Sequence, residues 1–164
     1  MTRLGHIVAT AVMVVGTAVL AEGTLTAGQG TVPAPQRIVP EVRALLAKDD
    51  FAGAEKLLEQ YQASRGTTPE MLEAHSWIGR AALAARQTEK AEAYARKSYQ
   101  MSTAALKGRT MDQEPHLPIA IGAAIEVQAQ AAAQRGARSE GVAILQRELQ
   151  AYGNTSIVKR LQKN

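Results

Sequence analysis

Cysteine is absent from this chain, which removes disulfides, thiol chemistry and cysteine-based zinc sites together. Aromatic residues make up only 4% of it although 46% is hydrophobic, so the apolar content is mostly alanine, leucine, valine and isoleucine. Such a core suits helices whose backbones approach closely over small side chains. No block of like charge occurs: 19 lysines and arginines stand against 15 acids, a formal +4. Without a basic run or interleaved aromatics, nucleic acid is not an expected partner. Alternating strand patterns bounded by turn residues are missing as well, and helix signals take their place.

Two segments precede the helical part. Arg3 is followed by the uncharged run Ile7 to Leu20, and Val19-Leu20-Ala21 offers a small-x-small cleavage pattern. The run fits a secretory signal and is short of the roughly 20 apolar residues of a spanning helix. Residues 1–21 therefore read as a signal peptide or an uncleaved anchor. The chain beyond is expected to be exported, to the periplasm or another extracytoplasmic space, with membrane contact only if the segment is retained. Residues 22–36 read as a flexible Gly/Thr/Pro/Ala-rich linker.

From Arg37 the pattern predicts an all-α domain over 37–153. Pro40 opens a first helix, Glu41 to Ala47, which halts at Lys48-Asp49-Asp50. Phe51 to Arg65 forms the second, with Gly66 as its stop. Thr68 caps a third that begins at Pro69 and runs to about Arg86. Thr88 caps a fourth, Glu89 to about Leu106, with Glu92 and Arg96 paired one turn apart. The stretch 107–117 is the longest internal loop. Pro118 to Arg135 and Ser139 to Tyr152 are the fifth and sixth helices, each followed by glycine. Residues 154–164 form a tail or a short helix capped by Thr155 or Ser156.

The helices pair by sequence as well as by order. Ala54, Ala91 and Gly141 each follow a short turn, and Leu58, Ala95 and Leu145 come four residues later. Thirteen residues before the small residues stand Glu41, Ile78 and Gln128. From Ala54 to Ala91 is 37 residues and from Ala91 to Gly141 is 50, the excess lying mostly in loop 107–117. A near-fixed period with one insertion is what stacked repeats produce. In the middle unit, Ile78-Gly79, Ala82 and Ala91 predict a close helix crossing at Gly79.

This pattern resembles the tetratricopeptide repeat across roughly Arg37 to Tyr152. The resemblance implies about three antiparallel helix hairpins stacked as a right-handed solenoid. It departs from the family at Trp77, which sits beside Ile78 instead of three residues ahead, and at His75, which holds the usual aromatic slot. Residues Leu117 to Gln130, with Gln146 to Leu149 and Thr155 to Ile157, also resemble the helical pre-domain of bacterial exported redoxin proteins. That resemblance implies a thioredoxin-like domain in cis. The expectation is then a fragment or a stand-alone relative, and no redox chemistry falls on the residues present.

No catalytic constellation stands out. His75 and Ser76 are helix neighbours about 100° apart and cannot form a base–nucleophile pair. Asp112, Glu114 and His116 supply too few ligands around Pro115 for a metal site. Gly136 to Gly141 has P-loop-like spacing without its lysine, and Asn154-Thr-Ser156 matches a glycosylation sequon that turn chemistry also explains. Asp49, Asp50 and Glu114 lack a partnered base. No cofactor is expected. In the repeat family the first helix of each pair lines a concave, peptide-binding side. On such a side Glu73, Ser76 and Arg80 share one helix face and Glu126, Gln130 and Gln134 another. The expectation is a non-enzymatic scaffold binding a protein or peptide through these six residues. The alternative is the accessory domain of an exported thiol–disulfide oxidoreductase.

Overall fold

In the computed structural model of the chain, residues 37–153 and 155–161 are described, Arg160 by its backbone alone. The signal or anchor at 1–21, the linker at 22–36, Asn154 of the sequon and residues 162–164 lie outside them. The described residues form an all-α fold: α1 (Ile38–Leu46), α2 (Phe51–Arg65), α3 (Pro69–Ala84), α4 (Thr88–Leu106), α5 (Leu117–Gln134), α6 (Arg138–Tyr152) and α7 (Ser156–Leu161). Among these residues there is no strand.

Local chemistry explains most of the boundaries. Asp50 Oδ1 accepts from Gly53 N at 2.8 Å to cap α2, and Thr68 Oγ1 accepts from Met71 N at 3.1 Å to cap α3. These side chains satisfy amides that a helix start leaves without partners. Two of the boundaries that differ from the sequence reading have a visible cause. α1 begins at Ile38, earlier than Glu41, because Ile38 is fully buried beside Val42 and Pro40 is harmless in a first turn. Thr88 is the first residue of α4 rather than its cap; its hydroxyl donates instead to Gln134 Oε1 on α5, at 3.1 Å.

One turn recurs three times. Asp49, Arg86 and Gly136 all have positive φ (58°, 60° and 89°). At each, its amide and the next one bond back to carbonyls of the preceding helix. The pairs run Asp49 to Leu46 and Asp50 to Leu45, Arg86 to Leu83 and Gln87 to Ala82, Gly136 to Ala133 and Ala137 to Ala132, all at 2.9–3.1 Å. This is the left-handed helix stop, which folds each helix back on its partner. The three positions follow the same 37- and 50-residue intervals as the small residues.

Each turn joins a packed pair: α1 with α2, α3 with α4, α5 with α6. α3 also packs on α1 and α5, and α5 on α4 and α7, so α3 and α5 are the most enclosed helices. Ile38, Val42, Leu58, Leu72, Ile78 and Leu117 share one apolar cluster. Ala82, Ala91, Ala95, Val127 and Ala131 form a second made largely of small side chains. A third joins Met111 of the 107–117 segment to Ile121, Ile125 and Ile157 of α7. That segment is thereby tied down: Met111–Gln113 forms a 3-10 turn, and Asp112 Oδ1 accepts from Ser156 N at 3.1 Å.

Candidate functional site

α1, α3 and α5 are the first helices of the three pairs, and two adjoining clefts run along them. The first, about 500 Å³, lies between α1 and α3 and includes Arg43, Asp49, Trp77, Arg80 and Ala84. The second, about 400 Å³, lies between α3 and α5 and includes Arg80, Ala84, Arg86, Glu126, Gln130 and Gln134. Arg80 and Ala84 line both, so the two form one groove across the three helices.

The structure divides the six residues expected from sequence. Arg80, Glu126, Gln130 and Gln134 meet in the second cleft. Arg80 Nη2 lies 2.8 Å from Glu126 Oε2, and Gln134 Nε2 donates to the Leu83 carbonyl at 3.4 Å, bridging α5 to α3. Glu73 and Ser76 are not in the groove. Ser76 is buried, its hydroxyl donating to the Glu73 carbonyl at 2.7 Å. Glu73 is nearly buried, and its Oε2 accepts from His116 Nδ1 at 2.7 Å. The face they share with Arg80 on α3 is real, but its first turns are covered where the chain enters α5, and only its last turn is open.

Trp77 is the groove residue that the periodicity did not single out. Two guanidiniums lie over its ring, Arg43 at 4.3 Å and Arg80 at 4.9 Å from the centroid. Guanidinium–indole stacking of this kind fixes both partners. The Trp77–Arg80 half follows from i,i+3 spacing and was available in the sequence. The Arg43 half depends on how α1 crosses α3 and left no sequence signal.

The histidines have other tasks. His75 is buried, with Nδ1 2.7 Å from Ser98 Oγ on α4 and its ring against Tyr94 at 5.0 Å. Desolvation, helped by the charge of Lys97, pushes its pKa down to about 4. It therefore stays neutral near pH 7 and ties α3 to α4. Tyr94 in turn donates to Glu55 Oε1 on α2 at 2.6 Å. Among the described residues no three of His, Cys, Asp and Glu come together in a metal-sized group. No helix among them is long and apolar enough to cross a membrane.

No protein-family model, curated protein or solved structure matches this chain.

Proposed function

We propose that the protein is an exported, non-enzymatic scaffold of the tetratricopeptide-repeat type, holding an extended segment of a partner protein in the groove across α1, α3 and α5. The observation that carries this reading is the continuity of the two clefts through Arg80 and Ala84. A groove that crosses successive helices suits an extended chain better than a compact small molecule. Support for the repeat comes from the turn recurring at Asp49, Arg86 and Gly136. It comes too from the packing order, in which each first helix touches the next first helix and closes against its own partner. Support for export rests on Arg3 and the run Ile7 to Leu20. The lining of the groove offers guanidiniums, amides, an indole and two carboxylates, Asp49 and Glu126. Glu126 is held by Arg80, and the lining suits polar and charged recognition.

Selection from a displayed peptide library tests the reading. Ala84 is exposed at the junction of the two clefts, so Ala84→Trp fills the groove without touching the core. Peptides selected on the wild-type protein should lose binding to that variant. If they bind it equally well, the groove is not the binding face.

A further inference from the structure

Three arginines and two carboxylates line the joined clefts, and their pairing is uneven. Arg80 is engaged by Glu126 and by the Trp77 face. Arg43 lines only the first cleft and Arg86 only the second; both are exposed, and neither makes an ion pair among the described residues. Arg43 rests instead on the Trp77 ring. Trp77 Nε1 is buried with no hydrogen-bond acceptor among the described residues. Asp49, at the rim of the first cleft, is the acid there and is likewise outside any ion pair. The groove thus holds an excess of donors: two guanidinium forks lacking carboxylates.

We infer that the occupant is an acidic peptide segment, with carboxylates engaging Arg43 in the first cleft and Arg86 in the second. This rests on the groove reading above and names the chemistry of the partner. A planar guanidinium with a free fork is matched by a carboxylate, in a charge-assisted and often bidentate pair. A cationic segment is disfavoured, since it meets Arg43, Arg80 and Arg86 with only Asp49 and Glu126 to receive it. The Arg80–Glu126 pair, with side chains 22% and 13% exposed, spans the middle of the groove and keeps that part near neutral. The acids of the partner are therefore read at two separated places instead of by one continuous basic patch.

The chain's one tryptophan stands in this site, so its fluorescence reports occupancy directly. Three octapeptide pools serve as probes, with alternate positions randomised over apolar residues and the others fixed as glutamate, glutamine or lysine. The glutamate pool should shift Trp77 emission and bind about tenfold or more tighter than the glutamine pool. Arg43→Gln and Arg86→Gln should each weaken it about tenfold, and added salt should weaken it further. Arg86 is exposed and stacks on no ring among the described residues, so Arg86→Gln should keep the melting temperature of the wild type. Arg43→Gln also removes the stack on Trp77 and should lower it slightly. Equal binding of the glutamine or lysine pool would overturn the acidic assignment and leave the groove reading standing. If no pool shifts the emission and the peptides selected on the wild type bind Ala84→Trp equally well, both fall together.

Discussion

Gly141 on α6 lies so close to Ala129 on α5 that a Cβ built on it would stand 2.5 Å from the Ala129 carbonyl oxygen. The matching crossing in the preceding hairpin is looser. A Cβ on Gly79 would meet Tyr94 Cβ at 3.4 Å and the Ala91 carbonyl oxygen at 3.6 Å, ordinary contact distances. In both hairpins the backbones touch where the sequence period places a small residue, but only α5 and α6 require glycine there.

Opposite outcomes follow for one substitution at the two positions. Gly79→Ala should be neutral or stabilise by up to about 1 kcal/mol, because alanine is the better helix former and has room. Gly141→Ala should destabilise by about 1–3 kcal/mol, because a backbone carbonyl must move. Gly79→Leu, which reaches beyond that room, should cost about 1–3 kcal/mol. Denaturant melts of the three variants decide the matter. A Gly79→Leu protein as stable as wild type would show that the crossing is misplaced.

These contrasts show what was legible before the fold was known. The boundaries of α2, the cap at Thr68 and the repeat interval were all written in local residue chemistry, and the helices follow them. Burial of a polar face was not. Glu73, Ser76 and Arg80 share a face by spacing, yet which part is covered depends on where His116 and α5 come to lie. Arg43 over Trp77 is a contact between helices far apart in sequence, and no period announces it. The 107–117 loop read as an insertion. It holds Met111 in the core because α7 returns to meet it, a tertiary effect invisible in the loop's own residues.

The buried His75 gives the fold a pH dependence with a definite sign. Its pKa falls from 6.5 when exposed to about 4 in the folded state, so the unfolded chain binds the extra proton. Its contribution is complete above pH 6.5 and is lost as pH falls from 6.5 toward 4. Between pH 7 and 4.5 the protein should lose about 2 kcal/mol from this group. Glu55 and Glu92 are held below the usual carboxylate value, chiefly by Tyr94 and Arg135 respectively. Their losses come at lower pH and do not overlap most of this window. Urea midpoints across the range should fall for wild type and stay nearly flat for His75→Gln. Parallel slopes for the two would remove His75 as the cause.

A second buried polar link joins α4 to α6. Tyr99 Oη donates to Glu148 Oε2 at 2.7 Å, and Arg147 Nε donates to Oε1 at 2.8 Å. Glu148 is only 2% exposed, so a lost donor is not replaced by water. Tyr99→Phe should therefore cost about 1–3 kcal/mol. Once Glu148→Gln has removed the charge, the same tyrosine change should cost less. A double-mutant cycle measures that coupling. Additive costs would mean that the hydroxyl and the carboxylate act independently.

The last described helix is held from outside itself. α7 has six residues, too few to be stable as an isolated helix, and it is held by packing on α5 and α6 and by the 107–117 segment. Ile157 is fully buried in the cluster with Met111, Ile121 and Ile125, and Asp112 accepts the Ser156 amide across 44 residues of chain. The carboxylate thus caps a helix to which it does not belong. Asp112→Ala should leave the melting of α1 to α6 close to wild type while amide exchange from Ser156 to Leu161 quickens. Asp112→Asn, which keeps an acceptor oxygen, should restore most of the protection. Ile157→Ala should release the same segment and also cost about 2–5 kcal/mol, through the cavity it opens. Unchanged exchange at residues 156–161 in Asp112→Ala would show that packing alone holds α7 and that the cap contributes nothing.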